Sequence, residues 1–152
     1  MFFTNATAET AKSDFTVNGV TGKYRTLSKD EWGYLFTTRT VNGGKGSGKS
    51  YSLNITYGGK MGLVLYPDNY TGSVLSGTVD SLPEGVVFLP TAGFRFEYDN
   101  YYSAGEEGDY WSSSSKDGEI AYEVYFSSND VLPGNDILRL VGCSVRLVTE
   151  VK

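Results

Sequence analysis

Apolar and polar positions alternate over short runs through most of this chain, and one stretch, Leu27 to Thr38, carries a clear helical period. There Trp32, Leu35 and Phe36 fall at i, i+3 and i+4, which gives a single apolar face. Ser28 and Glu31 have the spacing of a capping box, and Leu27 and Trp32 the spacing of a hydrophobic staple across it. Gly33 weakens this helix by up to about 1 kcal/mol relative to Ala, so tertiary packing has to hold it. Before it, residues 1–26 are ambiguous. Thr7–Lys12 has helix formers without a stripe, and Asn18-Gly19 and Thr21-Gly22 mark turns.

After the helix the period is two. Tyr51–Thr56 and Lys60–Tyr66 flank Tyr57-Gly58-Gly59 and read as a hairpin, with Met61, Leu63 and Leu65 on one face and Val64 and Tyr66 on the other. Pro67–Gly72 is a turn and residues 73–84 a surface loop. Val86–Leu89 is a wholly apolar buried strand ended by Pro90, and Thr91–Gly108 is irregular. Asp109–Val148 then reads as three strands joined by two polar loops, with Trp111 at its head as a core anchor. Along Ile120–Ser127 the alternation sets Tyr122, Val124 and Phe126 against Ala121, Glu123 and Tyr125. Asn129–Leu138 is a loop broken by Pro133-Gly134, and Cys143, Val145 and Leu147 share one side of the last strand.

Composition narrows the chemistry. The length of 152 residues is that of one domain. A net charge of −5 argues against a nucleic-acid footprint. With one Cys and no His, the chain has no Cys/His zinc site, disulfide framework, Cys-His dyad or Ser-His-Asp triad. No apolar run is long enough for a membrane helix, and Met1-Phe2-Phe3 leads into polar residues rather than a signal peptide. The 19 Gly suggest a sheet-rich domain with long turns, and the 12 Tyr suit binding loops as well as half-buried strands. Gly43–Ser50 matches G-x-x-x-x-G-K-[ST] letter for letter, but the segment after it alternates like a strand. A phosphate-binding loop opens a helix, so this one reads as a flexible Gly/Lys hairpin loop.

Several motifs in order resemble one family: Tyr24–Phe36, Gly62–Asp68, Val87–Arg95, Tyr110–Ser114, Ala121–Phe126 and Gly142–Val148. Together, across roughly residues 23–149, they resemble the surface-protein domains of gut anaerobes with a C-type-lectin-like fold, related to formylglycine-generating enzymes. The resemblance implies an α+β class: mostly antiparallel strands with one or two short helices and long loops. The whole chain is then one domain, with residues 1–22 uncertain and the N-terminus short or cropped beside longer members. Some members of that fold group are variable proteins of diversity-generating retroelements, whose C-terminal side chains are varied to form a ligand-binding face. Where such relatives are Asn- or Tyr-rich, this chain carries an assortment at Asn135, Asp136, Ile137, Leu138, Leu140, Val141 and Cys143.

The expected binding face therefore comprises Tyr98, Tyr101, Tyr102, Tyr122, Tyr125, Ser127, Asp130, Leu132, Asn135, Asp136, Ile137, Leu138, Leu140, Val141 and Cys143. The partner expected is a protein or glycan on a cell surface, and the setting a bacterial surface or phage virion. No catalytic residue, cofactor or metal site is expected. The cysteine pair of the oxidases and the calcium triplets of sugar-binding lectins are both missing. Asn129, Asp130, Asn135 and Asp136 carry the oxygens calcium takes, but loop Asx residues more often serve turns. Two other classes stay open: a degenerate enzyme using Glu106, Glu107 and Asp109, and a structural or adhesin module of a larger surface or phage-tail protein without diversification.

Overall fold

The capping signals seed the helix where their spacing predicts. In the computed structural model, which describes residues 13–17, 20–97 and 100–149, β1 (Ser13–Val17) and β2 (Val20–Thr26) lead into α1 (Lys29–Gly33). Glu31 N donates to Ser28 Oγ at 3.2 Å, and Ser28 N donates to the Glu31 carboxylate at 2.8 Å. Arg25 donates two further bonds to that carboxylate, at 2.6 and 2.5 Å. These bonds, with Arg25 foremost, hold the Glu31 carboxyl down at about 2. The helical course continues to Thr38, but Tyr34–Thr38 is wound as a π-helix, which Arg39 N closes on Tyr34 O at 3.1 Å. Trp32 and Phe36 are both buried, and their rings stack 6.1 Å apart.

The hairpin β3 (Tyr51–Tyr57) and β4 (Lys60–Leu65) forms the middle of a four-stranded sheet. β5 (Gly77–Val79) runs parallel to β3, inside the stretch expected to be loop. β6 (Val87–Pro90) runs antiparallel to β4, and the order is β5-β3-β4-β6. The two-residue alternation along β4 is what divides the core. Leu63 and Leu65 pack with Trp32, Phe36, Leu89, Tyr110, Val124 and Phe126; Val64 and Tyr66 pack on the other side with Val41 and Ile55. Met61, expected to share the first face, lies near the hairpin turn and is exposed.

The irregular segment 91–108 contains a short hairpin of β7 (Phe94–Phe96) and β8 (Asn100–Tyr102). β9 (Gly108–Ser115), β10 (Ile120–Phe126) and β11 (Val131–Leu138) make a sheet ordered β11-β10-β9. β12 (Leu147–Thr149) returns to β2, so a further sheet is β1-β2-β12. The described chain is thus mostly antiparallel strand with one short helical segment. No described helix is long and apolar enough to cross a membrane.

Three expectations are corrected. Residues 131–138 are a strand, not a loop. Pro133-Gly134 is accommodated because β11 is an edge strand with an extra residue between the Glu123–Asn135 and Tyr125–Leu132 pairs, where a missing N–H costs little. The last strand starts only at Leu147, and Val145 is exposed rather than scaffold. Trp111 is half-buried and outside both core clusters, whereas Trp32 is 1% exposed and is the core tryptophan.

Candidate functional site

The C-terminal sheet presents one face to the core and one away from it, and the alternation along β10 decides which side chain goes where. Val124 and Phe126 are fully buried against Trp32 and Tyr110. Tyr122 lies on their side, with the Lys29 ammonium 4.1 Å above its ring centroid. Glu123 and Tyr125 point the other way.

Along the edge of β9 away from β10 runs an irregular segment, residues 141–146. Ser144 N donates to Asp109 O at 2.8 Å and Trp111 N donates to Ser144 O at 2.9 Å. Gly142 exchanges two backbone bonds with Arg95 of β7, which brings the β7–β8 hairpin alongside. That junction needs a residue without Cβ at Gly93, whose φ is 63° and where a Cβ would stand 2.0 Å from Tyr102 O.

Glu123 is 1% exposed although it lies on the outer face, because two neighbours cover it. Asn135 Nδ2 donates to its Oε1 at 2.9 Å, and the Cys143 thiol donates to its Oε2 at 3.1 Å. Burial raises the Glu123 pKa while these bonds oppose the rise. Asp109 is 2% exposed, and its Oδ2 is buried without a hydrogen-bond partner. Burial first, then the charges of Glu123 and Glu107, push the Asp109 carboxyl up to about 7. Cys143 is pushed well above the ordinary thiol range by burial and by Glu123, so it is a poor nucleophile. Tyr125 OH donates to Glu107 Oε1 at 3.2 Å. Among the described residues no three acidic, Cys or His groups converge closely enough to hold a metal ion.

The expected binding residues separate into three groups. Tyr101, Tyr102, Leu132, Leu138 and Leu140 are exposed, between 41% and 71%, as are the polar Asp130 and Asp136. Tyr102 stacks on Phe94 at 5.4 Å, and Asp136 is ion-paired to Lys116. Tyr122, Tyr125, Ser127, Asn135, Ile137 and Cys143 are half-buried and hold the structure beneath or beside that surface. Ser127 Oγ, for instance, accepts the amides of Asn129 and Asp130, both at 3.3 Å. Val141 is corrected: at 5% exposed it packs inward and displays nothing. Tyr98 lies outside the described residues.

Sequence reasoning missed the buried pair Asp109 and Glu123 as a unit. The alternation did put Glu123 on the outer face, but an acid there reads as solvated until the 141–146 segment is seen to fold over it. Elsewhere, a groove of about 270 Å³ runs between the helical segment and β11, lined by Lys29, Asp30, Tyr34, Thr37, Pro133 and Gly134. The Gly43–Ser50 loop leads into β3, not a helix, and Ser50 Oγ accepts from Gly46 N at 3.0 Å within the loop itself. No family model, curated protein or solved structure matches the chain.

Proposed function

We propose that the chain is a non-enzymatic ligand-binding domain of the C-type-lectin-like kind, binding a protein or glycan on a cell surface through β8, β11 and the turn after β11. The reading includes display of varied side chains there, as in the variable proteins of diversity-generating retroelements, on a bacterial surface or a phage virion. One observation carries it. Tyr101, Tyr102, Leu132, Leu138 and Leu140 are five of the nine large apolar side chains left exposed among the described residues, and all five fall in the segments singled out for recognition. Exposed apolar side chains concentrated in β8, β11 and the turn after it support interaction surfaces in those segments. The deepest acids support the same reading, since Asp109 and Glu123 are shut off from solvent, and a substrate has no access to them.

The test is a triple variant, Leu132→Ser, Leu138→Ser and Leu140→Ser, probed beside the wild type on a printed glycan array and on intact bacterial cells. Melting temperature should hold within about 2 °C per substitution, as surface changes do, while binding is lost. Equal binding by both proteins removes the face from the function. Sibling sequences whose substitutions are confined to scattered positions after Gly93 would carry the diversification reading; substitutions spread evenly through the strands would end it.

A further inference from the structure

Under the candidate face lies a small acidic cluster whose hydrogen bonds reach into two of its segments. Asp109 on β9 and Glu123 on β10 are 2% and 1% exposed, and Glu107, in the turn before β9, bears on both. Asn135 of β11 binds one oxygen of Glu123 and Cys143 binds the other, so a single carboxylate fastens the edge strand and the 141–146 segment to the sheet. Asp109 Oδ2, on the same face of the neighbouring strand, has no partner.

Asp109 and Glu123 stand diagonally on the same face of the β9–β10 pair, and two buried carboxyls so placed do not both stay ionised without cost; one of them keeps a proton. Glu123 accepts two hydrogen bonds that favour its charged form, whereas Asp109 Oδ2 accepts none, so the proton belongs on Asp109. The titratable and charged groups around the pair are few. β10 contributes Tyr125, tied to Glu107, and β9 contributes Tyr110, whose hydroxyl donates to Pro90 O at 2.9 Å. The 141–146 segment contributes Cys143 and Arg146, β7 contributes Arg95, and both arginines are exposed. β11 contributes only the uncharged Asn135.

We propose that the Asp109–Glu123 pair is a proton-operated latch: while Asp109 holds its proton, Glu123 clasps β11 and the Cys143 segment, and release of that proton to solvent loosens them and weakens ligand binding. This deepens, and rests on, the reading of that surface as the binding face. The structural part is testable without a ligand. Amide NMR signals of Asn135, Cys143 and Ser144 should titrate together, with a midpoint near the value of about 7 expected for Asp109. The step should vanish in Asp109→Asn, which keeps the shape of the protonated acid, and move to lower pH in Glu123→Gln, which removes the neighbouring charge. Labelling of Cys143 by a neutral maleimide should rise several-fold more between pH 6 and pH 8 in the wild type than in Asp109→Asn. Flat signals in the wild type, or an unchanged step in Asp109→Asn, overturn the latch. Because these readouts need no ligand, their failure rejects the latch alone, while failure of the triple-serine experiment rejects the binding face alone.

Discussion

Arg39 should be the most costly single charged side chain to remove outside the C-terminal sheet. It follows the π-helix and is 7% exposed. Its Nε donates to Leu35 O at 2.8 Å, one terminal nitrogen donates to Tyr66 O at 2.7 Å and Asp68 Oδ1 at 2.9 Å, and the other donates to Ser50 O at 3.1 Å. The guanidinium thus joins the end of the helical segment to the start of β3 and the end of β4. Its carboxylate partner does little, because the Asp68 side chain is 71% exposed and surface pairs contribute about 0–1 kcal/mol. The three carbonyl bonds are charge-assisted, at roughly 1.5–3 kcal/mol each, but burying the cation costs several kcal/mol in return. Arg39→Met keeps the apolar stem and discards both terms, leaving a net loss of about 2–4 kcal/mol. With a urea dependence near 2 kcal/mol/M, this lowers the unfolding midpoint by roughly 1–2 M, read from the fluorescence of the buried Trp32. Asp68→Asn should cost under about 1 kcal/mol. A loss below 1 kcal/mol in Arg39→Met, or equal losses in the two variants, would refute the claim that the carbonyls matter more than the ion pair.

The pH profile follows from two carboxyls with opposite shifts. Asp109 is raised from 3.8 to about 7, so the folded state holds a proton the unfolded state has released; stability falls as pH climbs between those values, by on the order of 2–4 kcal/mol. Glu31 is lowered from 4.5 to about 2, so its contribution is complete above 4.5 and is lost as pH falls toward 2. Urea midpoints from pH 2 to 8 should peak between about pH 4 and 5, and Asp109→Asn should flatten only the alkaline side; a wild-type optimum above pH 7 would contradict the Asp109 assignment, and no loss toward pH 2 the Glu31 one. Trp32→Ala should cost about 3–5 kcal/mol in the same assay, and Trp111→Ala clearly less, because one is core and the other half-exposed; equal losses would restore Trp111 as an anchor. Gly108→Ala would set a Cβ 2.1 Å from the Phe126 ring, and its melting temperature should drop by several degrees; an unchanged value would show that the ring yields freely.

Period and capping carried most of the regular structure. Ser28 and Glu31 located the helix start to the residue, and the alternation along β4 separated Leu63 and Leu65 from Val64 and Tyr66 as the two cores do. The failures have physical causes. Pro133-Gly134 reads as a loop breaker because sequence does not reveal that β11 is an edge, where a bulge absorbs both residues. The π-winding of Tyr34–Thr38 leaves no mark on the i, i+3, i+4 pattern, because Trp32 and Phe36 are buried either way. The inward turn of Val141 and the covering of Glu123 both depend on where residues 141–146 lie, and that segment is fixed by backbone bonds to Arg95, Asp109 and Trp111, far away in sequence. Ser52, polar yet buried, is held by Tyr66 OH across the β3–β4 hairpin, whereas buried Ser50 serves Gly46 N within its own loop.

The placement of Glu123 explains how a surface made of unrelated side chains can rest on an ordered sheet. Leu132, Leu138 and Leu140 touch solvent, so their identity is weakly constrained by packing, and exchanging them alters the surface more than the stability. What keeps β11 in register lies in its half-buried positions. Asn135 is bonded to Glu123 on the outer face, and Val131, beyond the bulge, packs on the core side; residues 131–139 are half-buried at odd positions and exposed at even ones. Such a strand holds its register with its half-buried side chains, on both sides of the bulge, and leaves the exposed ones open to change. On this argument tolerance to substitution should itself alternate along β11. Asn135→Leu, which leaves Glu123 Oε1 without its donor, should cost about 1–3 kcal/mol. Asp136→Leu, one residue away, should lose at most the ~0–1 kcal/mol of an exposed pair with Lys116. Comparable losses at both positions in the urea assay would mean that the half-buried and exposed positions of β11 do not differ in their support of the strand.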